Sequence, residues 1–126
     1  MSFGVEAERF VALVGPSGCG KSTTLSLVSG LDRVSSGVVE VRGKPVDGIT
    51  GGIGFLFQRD ALMPWKTVRD NVLLPLQLRG VPRTDALRRV AEWIARVGLR
   101  GFEGSYPHQL SGGMRKRVSL AQTLVY

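Results

Sequence analysis

The sequence has few cysteines and no long apolar segments, and each shortage excludes a class of protein. Among its 126 residues the only cysteine is Cys19, so no internal disulfide can form, which fits a reducing compartment. No apolar run reaches the roughly 18 residues that a membrane-spanning helix needs, so any membrane role would depend on a partner. Acidic Glu6 and Glu8 near the N-terminus do not fit a signal peptide, and we expect none.

The composition is that of a globular protein with an excess of positive charge. Hydrophobic residues make up 43% of the chain and charged residues 21%, which argues against disorder. The formal net charge of +7 permits a nucleic acid, a nucleotide or an acidic membrane surface as partner without choosing among them. The 17 glycines predict loops with unusual backbone geometry.

The N-terminal half predicts two strands, a helix and a hairpin. Residues 10–14 and 53–57 are apolar runs, typical of buried strands in a parallel sheet. The segment Lys21–Ser29 predicts a helix that Gly30 stops. Alternating apolar and polar residues in "GVVEVRGKPV" predict a hairpin that turns at Gly43-Lys44.

A helix is predicted near the middle of the chain from its capping residues. Thr67 and Asp70 have the spacing of a capping box, in which two side chains satisfy the free amides of a helix start. This predicts a helix from Val68. Pro75 lacks an amide hydrogen and is expected to kink that helix.

Two more helices are predicted in the C-terminal third. The segment "TDALRRVAEWIARVG" is amphipathic and predicts a helix capped by Thr84 and ended by Gly98. A last helix is predicted from about Gly113, with Ser111 as its cap. Exposed amides at this helix start would suit an anion.

The first chemical signal is a phosphate loop. In "GPSGCGKS", Gly15, Gly20, Lys21 and Ser22 match the pattern, and a predicted strand and helix flank it as the motif requires. Glycines let backbone amides converge on phosphate oxygens, Lys21 is expected to reach the β- and γ-phosphates, and the Ser22 hydroxyl is expected to hold Mg²⁺. The nucleotide-binding residues predicted from this loop are Gly15, Pro16, Ser17, Gly18, Cys19, Gly20, Lys21, Ser22 and Thr23. The alternative is a glycine-rich turn before an ordinary helix.

Three further segments, taken together with the phosphate loop, indicate a particular protein family. "SSGVVEVRGKPV" follows the phosphate loop, "GIGFLFQ" ends in Gln58, and "QLSGGMRKR" comes about fifty residues later. Together they resemble the ATP-binding subunit of ABC transporters. The resemblance implies an α/β, P-loop NTPase fold, here partial, with an antiparallel β subdomain and a helical signature subdomain. It also implies ATP and Mg²⁺ as cofactors.

The resemblance assigns roles to residues outside the phosphate loop. Gln58 matches the family's glutamine that contacts Mg²⁺ or the attacking water, so it is the candidate catalytic residue and, with Ser22, a candidate metal ligand. Ser111, Gly112 and Gly113 belong to the signature motif. In the family that motif completes the ATP site of a second subunit in a head-to-tail dimer.

The segment "DALMPWKTVRDNV" resembles the importer branch that handles nitrate, sulfonate, taurine or bicarbonate. This implies ATP-driven solute import at the cytoplasmic face of the membrane, with transmembrane permease subunits and a solute-binding protein as partners and no nucleic acid. Met63, Pro64 and Trp65 would form an exposed apolar dock for the permease; alternatively, Trp65 is a buried anchor of its loop. Two other functions stay open: a non-hydrolysing nucleotide-binding module and a soluble ABC-type ATPase acting on nucleic acid.

The sequence departs from the family pattern in the signature and near both ends. Met114 and Lys116 stand where glutamine is common. No aromatic residue lies where the family stacks one on adenine, and none of the acidic residues follows four apolar ones, as the family's catalytic acid pair does. We therefore expect a fragment that hydrolyses little ATP alone. Its division is predicted as a phosphate-loop core with β subdomain in residues 1–67 and a helical subdomain in residues 68–126.

Overall fold

A computed structural model describes residues 2–126. These residues divide into two compact units, with the division between Ile53 and Gly54. We call residues 2–53 the N-terminal unit and residues 54–126 the C-terminal unit. No helix within residues 2–126 is both long enough and apolar enough to cross a membrane.

The N-terminal unit contains one helix and a short hairpin. Helix α1 spans Lys21–Ser29, as predicted. Its end is fixed by Gly30, whose positive φ of 74° and amide bond to the Leu27 carbonyl at 3.2 Å form a glycine stop. Strands β1 (Glu40–Val41) and β2 (Lys44–Pro45) pair antiparallel, which confirms the hairpin.

The hairpin turn lies one residue earlier than the prediction. Val41 pairs with Lys44, so the two loop residues are Arg42 and Gly43 rather than Gly43 and Lys44. Both have positive φ, 53° and 72°, which is the geometry that a tight two-residue turn needs to match the twist of its strands.

The prediction of buried strands at residues 10–14 and 53–57 is wrong for this structure. Phe10 and Val14 are 98% and 93% exposed, and neither segment is a strand. A strand exists through hydrogen bonds to a neighbour, and within residues 2–126 only β1 and β2 pair. The apolar pattern therefore predicted that these two segments are buried in a sheet, but the described residues contain no strand that pairs with either of them.

The C-terminal unit is built from three helices and a 3₁₀ turn. Helix α2 spans Val68–Leu78 and helix α3 spans Arg83–Arg96; a 3₁₀ helix at Pro107–Gln109 precedes helix α4, Gly112–Leu124. Helix α2 packs against both α3 and α4.

The start of α2 follows the predicted capping box. The Thr67 hydroxyl oxygen accepts from the Asp70 amide at 3.2 Å and donates to the Asp70 carboxylate at 2.8 Å. Helix α2 continues through Pro75 to Leu78, at the expense of the one backbone hydrogen bond that proline cannot donate.

The predicted cap of α3 is wrong, while its end is correct. The helix begins at Arg83 after Pro82, with no side-chain cap, so Thr84 lies inside the first turn. Pro82 is the residue before the helix, with φ −52° and ψ 136°, and its carbonyl accepts from the Ala86 amide at 2.9 Å. Proline is tolerated there because the amide hydrogen that it lacks would have no partner within the helix. Gly98, with φ 68°, follows the last helical turn.

Among residues 2–126, the hydrophobic core lies in the C-terminal unit. It consists of twelve buried residues from α2, α3, α4 and their connections: Val68, Val72, Leu73, Leu76, Ala86, Val90, Ile94, Leu99, Leu110, Val118, Ala121 and Val125. Amphipathic helices can pack their apolar faces against one another. This core supports the two segments, residues 54–67 and 110–116, that carry the predicted Gln58 and signature residues.

Candidate nucleotide-binding site

The phosphate loop runs from Gly15 to the start of α1 and owes its shape to glycines. Gly18 and Gly20 have φ 82° and 91°, a left-handed conformation that other residues adopt at a cost. A Cβ atom at either position would meet nothing within 4 Å. Backbone conformation rather than space therefore requires glycine at these two positions.

Gly15 differs from these two glycines, because a side chain approaches it closely. A Cβ atom on Gly15 would lie 2.7 Å from Cys19 Sγ. The exposed Cys19 thus folds back across Gly15 inside the loop. A larger residue at position 15 would require the Cys19 side chain to move.

The Lys21 side chain lies over the loop that precedes it. Its ammonium group donates to the Gly15 carbonyl at 2.8 Å and to the Pro16 carbonyl at 2.7 Å, and it lies 3.5 Å from Cys19 Sγ. The loop therefore places a full positive charge beside its own backbone. That charge is available to an anion that approaches the same loop.

The first turn of α1 supplies amide donors next to this charge. The Thr24 amide is the first that bonds back within the helix, to the Gly20 carbonyl at 2.9 Å. Within residues 2–126, the amides of Lys21, Ser22 and Thr23 have no acceptor, as expected for a helix start. The helix dipole makes this end positive. Amides, dipole and ammonium together fit the phosphate groups of a nucleotide.

The two predicted magnesium ligands lie in different units of the chain. Ser22 is exposed in the first turn of α1, and Gln58 is exposed in the segment that precedes α2. Among the described residues, no group of three or more His, Cys, Asp or Glu side chains is arranged to hold a metal ion. The assignment of Ser22 and Gln58 to Mg²⁺ stays a prediction.

The signature segment forms the exposed start of α4. Ser111 caps the helix, its hydroxyl oxygen accepting from the Met114 amide at 3.3 Å, as predicted. Ser111, Gly112 and Gly113 are all exposed, and a Cβ on Gly113 would meet nothing within 4 Å. The segment is thus a second helix start open to solvent. Its proposed contact with the ATP of another subunit stays a prediction.

A charged cluster that sequence reasoning missed joins the Gln58 segment to α4. Lys116 donates to the Gln58 carbonyl and to the Phe57 carbonyl, the latter at 3.3 Å, and its ammonium lies 3.2 Å from Asp60 Oδ1. Arg115 donates to Asp60 Oδ2 at 3.0 Å. These partners lie more than fifty residues apart in the sequence, so no local pattern signals them.

The Asp60 carboxyl is kept ionised by this cluster. The hydrogen bond from Arg115 is the main cause that holds its pKa below the ordinary value, and Lys116 lowers it further, while partial burial acts in the opposite direction. Oδ1 has no hydrogen bond of good geometry within the described residues, and its contact with Lys116 is an ion pair. The cluster therefore holds a negative charge between two positive ones.

The alternative that Trp65 is a buried loop anchor is wrong, because its side chain is 69% exposed. The loop is held instead by Asn71, which is fully buried. The Asn71 amide nitrogen donates to the carbonyls of Met63 at 3.2 Å and Lys66 at 3.0 Å, and its oxygen accepts from the Met63 amide at 2.8 Å. Pro64 is also exposed and Met63 is partly buried, so a loop held by Asn71 presents Trp65 to solvent.

Known proteins match this chain along its whole length. The sequence profile described as ABC transporter matches residues 1–126. The chain is similar to an uncharacterized ABC transporter ATP-binding protein of Methanocaldococcus jannaschii, with 46% identity over 95% of this chain and 45% of the relative. It is also similar to the taurine import ATP-binding protein TauB of Rhizobium johnstonii, with 43% identity over 98% of this chain and 47% of the relative. The aliphatic sulfonates import ATP-binding protein SsuB of Bacillus anthracis is 42% identical over 99% of this chain and 49% of the relative.

A solved structure has a similar fold. It is a dimeric ATP-binding cassette in a post-hydrolysis state with bound ADP and Pi; its TM-score is 0.75 and its identity 32%, over 87% of this chain and 53% of that chain. The α/β P-loop fold with its small antiparallel sheet and helical part is thereby confirmed. The chain spans about half the length of the curated relatives it matches.

Proposed function

Because this chain belongs to the ABC transporter family, we propose that it is part of an ATP-binding subunit that drives solute import. The subunit binds Mg·ATP, and hydrolysis of the nucleotide powers the transport cycle. The relatives named for taurine and aliphatic sulfonates support a small anionic solute such as a sulfonate, taurine or nitrate. The subunit acts at the cytoplasmic face of the membrane as a peripheral partner of permease subunits, in a system that also uses a solute-binding protein.

The observation that carries this proposal is the geometry of the phosphate loop. The three free amides at the start of α1 and the Lys21 ammonium belong to consecutive parts of one loop. Charge-assisted hydrogen bonds of this kind are about twice as strong as neutral ones. In the proposal, Lys21 binds the β- and γ-phosphates, while Ser22 and Gln58 hold Mg²⁺, with Gln58 also orienting the attacking water.

The proposed subunit works as a head-to-tail dimer. Ser111, Gly112 and Gly113 bind the γ-phosphate of the nucleotide held by the Lys21 loop of a second copy. The exposure of all three residues and the dimeric state of the similar cassette support this arrangement. The helical subdomain, residues 68–126 in this proposal, thus carries the part of the site that acts on the partner.

The permease is proposed to dock on the loop of Met63, Pro64 and Trp65. A large indole ring that is mostly exposed loses hydration favourably when a partner covers it. Support comes from the Asn71 hydrogen bonds, which hold the backbone of this loop in place. A pre-organised loop costs less entropy to bind than a mobile one.

The test of nucleotide binding compares two lysine variants of the N-terminal unit. Lys21→Ala removes the charge beside the loop carbonyls and is expected to weaken Mg·ATP binding roughly tenfold to a hundredfold, because a hydrogen bond to a charged group contributes about 1.5–3 kcal/mol. Lys44→Ala removes an exposed lysine of β2 and is expected to leave affinity unchanged. Isothermal titration with Mg·ATP measures both. Identical curves for Lys21→Ala and the unaltered chain would overturn the proposed function.

A further inference from the structure

Lys116 makes three contacts with the segment that carries Gln58. Its ammonium donates to the main-chain carbonyls of Phe57 and Gln58 and forms an ion pair with the Asp60 carboxylate. An ammonium group has three hydrogens to donate; Lys116 donates two hydrogen bonds, to these two carbonyls, and its charge forms the ion pair with Asp60 Oδ1 at 3.2 Å. A single side chain of α4 thus holds both the backbone and a side chain of this segment.

Asp60 extends the link from this segment to the signature loop. Its second carboxylate oxygen accepts from Arg115, and Arg115 also donates to the Leu110 carbonyl at 2.8 Å. Leu110 immediately precedes Ser111. A continuous set of bonds therefore runs from the Gln58 carbonyl through Lys116, Asp60 and Arg115 to the residue before the signature serine.

The packing of the preceding residues agrees with a fixed placement against α4. A Cβ atom on Gly54 would lie 2.8 Å from Thr123 Cγ2 and 3.3 Å from the Thr123 carbonyl oxygen. The chain thus approaches α4 closely at Gly54 and is tied to it again at Gln58. Between these points the Phe55 and Phe57 rings meet edge to face, with centroids 4.8 Å apart.

We propose that Lys116 is a positioning residue, which fixes the main chain of Gln58 and the Asp60 carboxylate against α4 so that Gln58 and the signature loop keep one relative position. Because the Gln58 side chain is exposed, its placement depends on how its own backbone is held. The significance of this placement for Mg·ATP rests on the proposed function. A glutamine at position 116 could donate to carbonyls but could not form the ion pair. The lysine therefore adds an electrostatic interaction with Asp60 to its hydrogen bonds.

The exposure of Asp60, Arg115 and Lys116 indicates that their ion pairs position a segment of chain and add little to the global stability of the fold. Asp60 is 22% exposed, and Lys116 and Arg115 are more exposed than that. Ion pairs at such sites contribute little to global unfolding. The loss of Lys116 is therefore expected to act locally, on residues 57–60, while the core of α2, α3 and α4 keeps its packing.

The experiment uses isotope-labelled chain without nucleotide. Lys116→Met is expected to shift the carbonyl ¹³C resonance of Gln58 and to lower the backbone order parameters of residues 58–60 from about 0.85 to below about 0.6. Lys116→Arg, which keeps the charge and donors, is expected to restore both. Lys116→Gln should fall between the two and serves as the test if the methionine variant does not fold.

Arg117→Met is the matched control. It removes the next charge of α4, whose guanidinium donates to the carbonyls of Val97 and Gly98 instead, and it should leave the Gln58 signals unchanged. Unchanged order parameters and an unchanged Gln58 carbonyl resonance in Lys116→Met and Lys116→Gln would overturn the positioning role. A chain that shows the Gln58 response but binds no Mg·ATP would instead overturn the proposed function and leave the anchoring intact.

Discussion

The two units of this chain stabilise their structures in different ways. All twelve buried hydrophobic residues that the structure describes lie in the C-terminal unit, where three helices pack their apolar faces together. In the N-terminal unit the buried side chain is the polar Ser29, while Phe10 and Val14 are almost fully exposed. A helix makes its backbone hydrogen bonds between residues four apart in the sequence, so it needs no other segment to satisfy its backbone. A strand makes its backbone hydrogen bonds with a neighbouring strand and therefore depends on another segment of chain.

The shape of the phosphate loop does not depend on buried hydrophobic residues within residues 2–53. Its shape depends on the positive φ of Gly18 and Gly20, on the start of α1, and on the Lys21 contacts with the preceding carbonyls. Each of these is set within six residues. The Gln58 and signature segments, in contrast, are held by contacts between residues far apart in sequence.

The largest expected effect tests the core of the C-terminal unit. Leu76 in α2 is fully buried, whereas Leu78 in the same helix is 80% exposed. Leu76→Ala is expected to lower the free energy of unfolding by about 2–5 kcal/mol, through lost burial and a residual cavity. Leu78→Ala should change it by less than about 0.5 kcal/mol. Urea denaturation followed by circular dichroism compares them, and equal losses would contradict the location of the core.

A second substitution tests what holds the N-terminal unit. A Cβ atom on Gly30 would lie 1.7 Å from the Gly48 carbonyl oxygen, and Gly30 has φ 74°. Gly30→Ala is expected to cost roughly 2–4 kcal/mol, from backbone strain and overpacking. It should also break the adjacent bond from the Thr50 amide to the Ser29 carbonyl, which amide hydrogen exchange reports.

Gly37→Ala is the matched control for that substitution. Gly37 has a similar φ of 85° but would place its Cβ in open space, so only the strain of about 1–2 kcal/mol is expected. Protection of the Thr50 amide should survive. Equal loss of protection in the two variants would show that close packing around Gly30 does not organise this unit.

A third comparison tests local stabilisation within the C-terminal unit. Thr67→Ala removes the cap of α2 and is expected to lower the free energy of unfolding by about 1 kcal/mol. Thr84, which lies inside the first turn of α3 without capping it, provides the control, and Thr84→Ala should change stability by less than about 0.5 kcal/mol. A larger loss of stability in Thr84→Ala than in Thr67→Ala would contradict the structure and support the predicted role of Thr84 as the cap of α3.

The smallest expected effect concerns pH and the Asp60 cluster. Arg115, followed by Lys116, holds the pKa of Asp60 below its ordinary value of 3.8. Because the folded-state pKa is the lower one, the ionised carboxylate stabilises the fold fully above pH 3.8, and this contribution is lost as the pH falls from there through the folded-state pKa.

Asp60→Asn should therefore be less stable than the unaltered chain at pH 7, by about 1 kcal/mol or less for a partly exposed pair. The difference should shrink below pH 3.8. Urea denaturation at pH 7 and at acidic pH measures the two differences. A difference that stays constant with pH would mean that the charge of Asp60 contributes nothing.

The sequence by itself determined the features that are decided within a few residues. Glycines that need positive φ, the cap residues Thr67 and Ser111, and the bounds of α1 follow from local hydrogen bonding and backbone sterics, so the pattern predicts them. The phosphate loop and the family could be identified from the sequence for a similar reason, because each motif is an uninterrupted segment of the chain. The cap predicted at Thr84 was wrong because α3 begins one residue earlier, at Arg83 after Pro82.

Only the tertiary structure decided the contacts between distant residues. Lys116 reaches the Gln58 carbonyl across 58 residues of sequence, and Arg115 reaches Asp60 across 55. The apolar run at residues 10–14 shows the converse, since hydrophobicity predicts a preference for burial but does not supply the neighbouring strand that would satisfy it. Whether an apolar or charged side chain finds a partner depends on where the fold places that partner, and single-residue patterns do not contain this information.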